Sequence, residues 1–237
     1  MKQTFLLALL VSATAFVQSA QAQKQETLEG NGHVITKEIP VQPFTALDAS
    51  GVYDLNLTQG AAEGVKIEAD ENLQALFSVR NEGDKLVIDM KEGKNKNLNL
   101  KHKLQVYVTF KNLKALNLKT VGNVRNSNDL TFDALRLTTS SVGNIDLDLN
   151  ATTLHLENTS VGSVMLRGRA ESAMIKNSGV GSLKAGDFIV QMLEIDNSGV
   201  GAAEVNAAKG LKVQDSFLGK VKNRGAAAAR KGNKVVI

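Results

Sequence analysis

An all-β fold, a parallel β-helix of about 19-residue coils capped by irregular N-terminal coils, is predicted by three features of this 237-residue sequence. A glycine-centred segment recurs as TVGNV, SVGNI, SVGSV, GVGSL, GVGAA and FLGKV, and its glycines (Gly122, Gly143, Gly162, Gly181, Gly201 and Gly219) are 21, 19, 19, 20 and 18 residues apart. Apolar residues alternate at every second position on both sides of each glycine, the period of a strand with one buried face. No stretch has helical periodicity. Fixed self-similarity at this period marks a solenoid, in which each unit buries its apolar face against its neighbours.

From the N-terminus, residues 1–22 have the form of a signal peptide. Lys2 gives a thin positive start, Phe5 to Val17 an apolar run, and Ala20-Gln21-Ala22 the small-x-small pattern of a cleavage site, placed after Ala22. The run is shorter than the roughly 20 residues a membrane-spanning helix needs, and no second one follows, so no transmembrane segment is expected. The protein is expected to be exported. Residues 23–43 form an N-terminal strand segment, residues 44–225 the solenoid domain, and residues 226–237 a tail with a short closing strand at Val235-Val236-Ile237. Strand character over His33–Ile39, Val52–Thr58, Val65–Ala69, Leu86–Met90 and Leu104–Phe110 suits irregular first coils that shield the end of the apolar column. The segment KEGKNKNLNLKHK, Lys91 to Lys103, interrupts them as a solvated basic loop.

Alignment on the glycines shows the content of one unit. Six positions before the glycine stand Leu116, Leu137, Leu156, Ile175, Ile195 and Val213, and two positions after it Val124, Ile145, Val164, Leu183, Ala203 and Val221. Each unit is thus strand, tight corner, strand. Leu113-x-x-Leu116-x-Leu118 fits the opening of a leucine-rich repeat, but such repeats run 20–29 residues and carry a different element after the strand, for which the second strand leaves no room. Coils stacked at about 4.7–4.9 Å build a column roughly 29 Å tall from six units.

The corner has its own chemistry. Four positions before the glycine come Leu118, Thr139, Asn158, Asn177, Asn197 and Asp215, each but the first followed by Ser or Thr. Asn and Ser hydrogen-bond nearby backbone, and glycine supplies backbone angles denied to other residues. Stacked at one level per coil, Asn158, Asn177 and Asn197 are placed to form an internal amide ladder.

The composition excludes several functions. Without cysteine there is no disulfide framework, thiolate zinc site or thiol nucleophile. Aromatics at 4% are few for stacking on sugars or bases, and the formal charge, +4 falling to +3 without Lys2, is too mild to argue for nucleic acid. There is no G-x-S-x-G elbow, H-E-x-x-H or P-loop. His33 and His102 fall in the irregular region, and His155 faces outward between Leu154 and Leu156. The best acidic cluster is the outward pair Asp146 and Asp148, alternating with apolar Ile145, Leu147 and Leu149, a pattern that reads first as a solvated strand face. Sequons at Asn56, Asn150 and Asn158 matter only in a host that glycosylates, and Asn158 would be hidden in the ladder. No catalytic, cofactor-binding or metal-binding residue is assigned.

The segment Ala49-Ser50-Gly51-Val52-Tyr53-Asp54-Leu55-Asn56-Leu57, preceded by Phe44 and Asp48 and followed by repeated NSGVG-type corners, resembles the putative auto-transporter adhesin, head GIN domain family over about residues 44–223. The resemblance implies a right-handed single-stranded β-helix, export to the periplasm or surface of a Gram-negative envelope, and adhesion. It brings no catalytic residues and no cofactor. Two functions follow as expectations: a non-catalytic module presenting flat faces to a macromolecular ligand, a glycan or a surface protein, and, by fold analogy alone, a lyase or hydrolase acting on an acidic glycan.

Overall fold

The computed structural model describes residues 27–90, 97–216 and 218–231, and in it parallel coils stack into a β-solenoid of roughly six turns. The signal peptide, Lys91–Lys96 of the basic segment and the closing strand at 235–237 lie outside the described residues.

The chain runs through β1 (Thr27–Glu29), β2 (Val34–Ile39), β3 (Ala46–Val52), β4 (Asp54–Gln59), β5 (Gly64–Asp70), a 3₁₀ turn (Glu71–Leu76), β6 (Phe77–Glu82), β7 (Lys85–Met90), β8 (Asn97–Asn99) and β9 (Gln105–Phe110). The repeats follow as β10 (Ala115–Val121), β11 (Val124–Asn126), β12 (Leu130–Thr139), β13 (Ile145–Asn158), β14 (Val164–Asn177), β15 (Leu183–Asn197), β16 (Ala203–Asp215), β17 (Val221–Asn223) and β18 (Ala229–Lys231).

The register is the one the alignment dictates. Leu116 pairs with Leu137, then Leu156, Ile175, Ile195 and Val213 in succession, all buried. Val124, Ile145, Val164, Leu183 and Ala203 form the facing buried column. Each such aliphatic side chain contributes about 1.5–3 kcal/mol by leaving water. With parallel pairing on both edges, the backbone hydrogen bonds run from coil to coil along the column.

Glycine is required at the corner by geometry. Gly122, Gly143, Gly162, Gly181 and Gly201 have φ of +148°, +133°, +131°, +137° and +132°. A Cβ on each would stand only 2.0–2.3 Å from the carbonyl oxygen of the coil before it. Gly51, in the segment opening the domain, also has a positive φ of +138°, but it lies within β3 opposite Thr120, and the residue level with the corner glycines in that coil is Tyr53. Gly219 does not: it lacks the positive φ, and a Cβ there would meet Gly199 O and Asn197 Nδ2 instead. The sixth corner therefore departs from the repeat. Residues 226–231, read from the sequence as part of the tail, include β18, which pairs in parallel with Leu211–Val213.

The cap is built in an order that alignment does not reveal. β3 pairs with β10 on one side and β7 on the other, and β4 with β11 and β9. The first coil in sequence is therefore the second in space, inserted between the level of β7 and β9 and that of β10 and β11. β5 and β2 continue the sheet antiparallel beyond β9, and β6 lies antiparallel beyond β7. Antiparallel strands cannot continue the coil, so they end the column. Leu73 and Leu76 of the 3₁₀ turn are buried there.

Candidate functional site

The corner column joins the most ordered polar chemistry of the molecule. Thr139 Oγ1 donates to Asn158 Oδ1 at 2.7 Å, Asn158 Nδ2 to Asn177 Oδ1 at 2.6 Å, Asn177 Nδ2 to Asn197 Oδ1 at 2.5 Å, and Asn197 Nδ2 to the Gly219 carbonyl at 2.6 Å. The expected ladder is present, and every bond points the same way along the axis. Its members are buried, so it holds the corner shut and is inaccessible to a ligand. Ser141 and Ser160 add a second buried column, Ser141 Oγ accepting from Thr120 N and Ser160 Oγ from Ser141 N.

Immediately outside this ladder lies a feature the alignment passed over. Val121, Val142, Val161, Val180 and Val200 stack by parallel bridges, each 49–53% exposed. Ser140, Thr159, Ser178 and Ser198 stand exposed two positions before these valines. Parity carried the signal: inward positions lie at even offsets from the glycine, and the valine lies one before it, so an apolar residue was being repeated on an outward position.

The acidic pair is not a free site. Arg167 clamps Asp148 through Nε to Oδ1 at 2.6 Å and Nη2 to Oδ2 at 3.0 Å, and its Nη2 lies 2.6 Å from Asp146 Oδ1. The Asp148 hydrogen bond, with Asp146 assisting, raises the guanidinium's already high pKa. The alignment of coils brought Arg167 opposite Asp148, a pairing one coil apart that reading along a single strand does not show. Because these groups are half-exposed, Arg167→Ala should cost less than about 1 kcal/mol and less still in high salt. Urea midpoints at low and high ionic strength check this; a loss above about 2 kcal/mol that survives 1 M salt would contradict it.

The histidines stay apart. His33 Nδ1 lies 3.2 Å from Glu71 Oε2, His102 Nδ1 lies 3.5 Å from Asp70 Oδ1, and His155 Nε2 lies 3.0 Å from Glu157 Oε1. The His155 hydrogen bond holds the Glu157 carboxyl below its ordinary range. Asp70 is the one fully buried carboxylate among the described residues, beneath the cap. No group of three metal-ligating side chains forms among the described residues. Of the sequons, Asn56 is buried and bonded to Gln105 and Arg125, and Asn158 is in the ladder.

The outer faces carry open depressions, one of about 640 Å³ lined by Met174, Met192, Leu193, Glu194, Lys212 and Arg230 among others. Among the described residues no helix is long and apolar enough to cross a membrane.

Known structures share this architecture. A Bacteroides fragilis protein described as a putative adhesin is 26% identical and superposes with a TM-score of 0.73, covering 86% of this chain and 99% of its own. A Parabacteroides distasonis protein described as a putative adhesin is 21% identical, with a TM-score of 0.60 over 87% of this chain and 96% of its own. Another from the same species, described as a putative lipid binding protein, is 19% identical, with a TM-score of 0.61 over 88% of this chain and all of its own. The last two likenesses speak to fold alone. No curated protein sequence matches the chain. Residues 43–227 match the family model described as putative auto-transporter adhesin, head GIN domain, and the chain belongs to that family.

Proposed function

We propose that this protein is a non-catalytic, adhesin-like module, exported to the periplasm or surface of a Gram-negative envelope, whose solenoid faces bind a macromolecular ligand such as a glycan or a surface protein. The observation that carries this reading is the in-register stacking of outward side chains on a rigid column. Arg136, His155, Met174, Glu194 and Lys212, for example, line up one per coil. Such a row offers many separate contacts at regular spacing and no single reactive centre, and the best acidic pair is already engaged by Arg167.

The test is a glycan and cell-surface binding screen on the protein, run beside incubation with acidic polysaccharides and calcium. Binding spread over several coils is expected, with Asp146→Asn and Asp148→Asn together weakening it only a few-fold. Unsaturated or hydrolysed sugar products that accumulate with the native protein and vanish with that double substitution would overturn the reading in favour of a lyase or hydrolase.

A further inference from the structure

The valine column forms the centre of a long, uncharged face. In the four coils carrying Val142, Val161, Val180 and Val200, the segments 139–145, 158–164, 177–183 and 197–203 contain no ionisable side chain. Each level presents Ser or Thr, then Val, then Gly, then Asn, Ser or Ala. Four residue steps across and five levels along give a strip about 13 Å by 24 Å, roughly 300 Å² per copy, whose one charged side chain is the exposed Lys119 at the level of Val121. Apolar surface kept outward at the same position of five successive coils, without a packing role inside the column, marks an interaction face.

The charges bordering the strip show what fits it. One border is the row Arg125, Asp146, Met165, Lys184 and Glu204, the other Asn117, Thr138, Glu157, Lys176 and Asp196, with the members of each row paired in register. If two copies met with their axes parallel, each level of one row would face the same level of the other. Lys176 would then meet Lys184, and Asp196 would meet Glu204, all like charges. If they met antiparallel about an axis at Val161, each row would face itself reversed. Asp146 would face Lys184 twice and Met165 would face Met165, while Arg125, already bonded to Asn56 and near Asp54, would face Glu204, already paired with Arg224, so the Asp146–Lys184 contacts carry most of the discrimination. All five valines would be covered, Val142 against Val180 and Val121 against Val200. The one like-charge contact, Glu157 with itself, is eased by Arg136 Nη1 at 3.8 Å and His155 Nε2 at 3.0 Å. Asp146 keeps its attraction despite Arg167, since Asp146, Asp148 and Arg167 together carry a net negative charge.

We propose that this valine ridge docks a second copy of the same chain, antiparallel, about a two-fold axis at Val161. A C2 contact of this kind is self-complementary by construction. The two strips bury about 600 Å² before the bordering rows are added, below the usual size of a stable specific interface, so the contact is a weak and reversible one. It requires no glycan or other ligand, so it stands or falls separately from the function proposed above.

Sedimentation equilibrium of the exported protein from about 5 μM to 1 mM tests it. The native protein is expected to dimerise with a dissociation constant of roughly 10–300 μM. Val161→Lys, which sets like charges face to face on the axis, should leave it monomeric throughout with an unchanged melting midpoint. If that variant melts early, Val161→Ser takes its place and should weaken pairing about tenfold. Lys184→Glu should also weaken pairing about tenfold, and Asp146→Lys combined with Lys184→Glu should restore it. A native protein monomeric to 1 mM overturns the proposal, as does a dimer indifferent to the Val161 variants, or a charge-swapped pair no better than Lys184→Glu alone.

Discussion

Gly181→Ala is expected to destabilise the protein by about 3–5 kcal/mol, the largest effect of any single methyl added to the repeats. Two causes act together. The residue has φ of +137°, a conformation that costs an L side chain roughly 1–2 kcal/mol. The new methyl would stand 2.0 Å from the Gly162 carbonyl oxygen and 2.7 Å from its carbon, both backbone atoms of the preceding coil. Backbone fixed by hydrogen bonds on both sides cannot swing aside as a side chain can, so the coils must part locally and lose packing above and below. Gly64→Ala is the control. It has no atom within 4 Å of the added methyl and no positive φ, so its stability should change by less than about 0.5 kcal/mol, or rise. Denaturant midpoints of the two variants compare them directly; similar small shifts would mean that the corners can spread at little cost.

Asn177→Ala should cost about 2–4 kcal/mol. Asn177 is the central rung, and removing its amide breaks two hydrogen bonds and leaves the Asn158 Nδ2 donor and the Asn197 Oδ1 acceptor without the partners they had, in a buried column. An orphaned buried polar group costs about 1–3 kcal/mol, more than the hydrogen bond itself gains. Asn177→Asp should do little better, because a carboxylate keeps the acceptor for Asn158 but sets a second oxygen against Asn197 Oδ1. Ser178→Ala, one residue along and exposed, should stay within about 0.5 kcal/mol. Equal midpoints for the Asn177 and Ser178 variants would mean that the ladder adds nothing to stability.

The repeats were legible because each of their signals is local and recurs. Gly143 to Gly201 mark corners, Leu137 to Ile195 mark one inward row, and Asn158 to Asn197 mark the ladder, and one register satisfies all three at once. Legibility fails where a property belongs to two coils or to one exception. That Asp146 and Asp148 are held by Arg167 depends on a neighbour 19 residues from Asp148, visible only once coils are superposed. Gly219 shares its motif with the other corners and not their backbone: among the described residues, β17 beside it pairs with β16 alone, so no later coil holds it in the same shape. The outward valines were visible as letters, but the alignment passed over them, since apolar residues are expected inside. In the cap, β2, β4, β5, β7 and β9 were located by their alternation, whereas β1, β3, β6 and β8 were not, and the order of the strands in space was not either, because pairing between non-consecutive strands leaves no periodic trace.

That order has a consequence for how the chain acquires its shape. Synthesis delivers β3 and β4 first, yet both flanks of that coil are supplied later, by residues 85–110 on one side and 115–126 on the other. Until residue 126 has emerged, the leading coil has at best one neighbour, and its other edge is a row of unpaired amides and carbonyls. The column therefore cannot be wound like thread from its starting end. Its earliest complete piece is a set of three levels closed by contacts spanning some 70 residues, which loop closure is expected to make slow. The later coils each join a finished edge through a neighbour about 19 residues back, and can be added in succession. The molecule is therefore expected to divide in time as it does in sequence, with a slow seed at the irregular end and faster growth through the repeats.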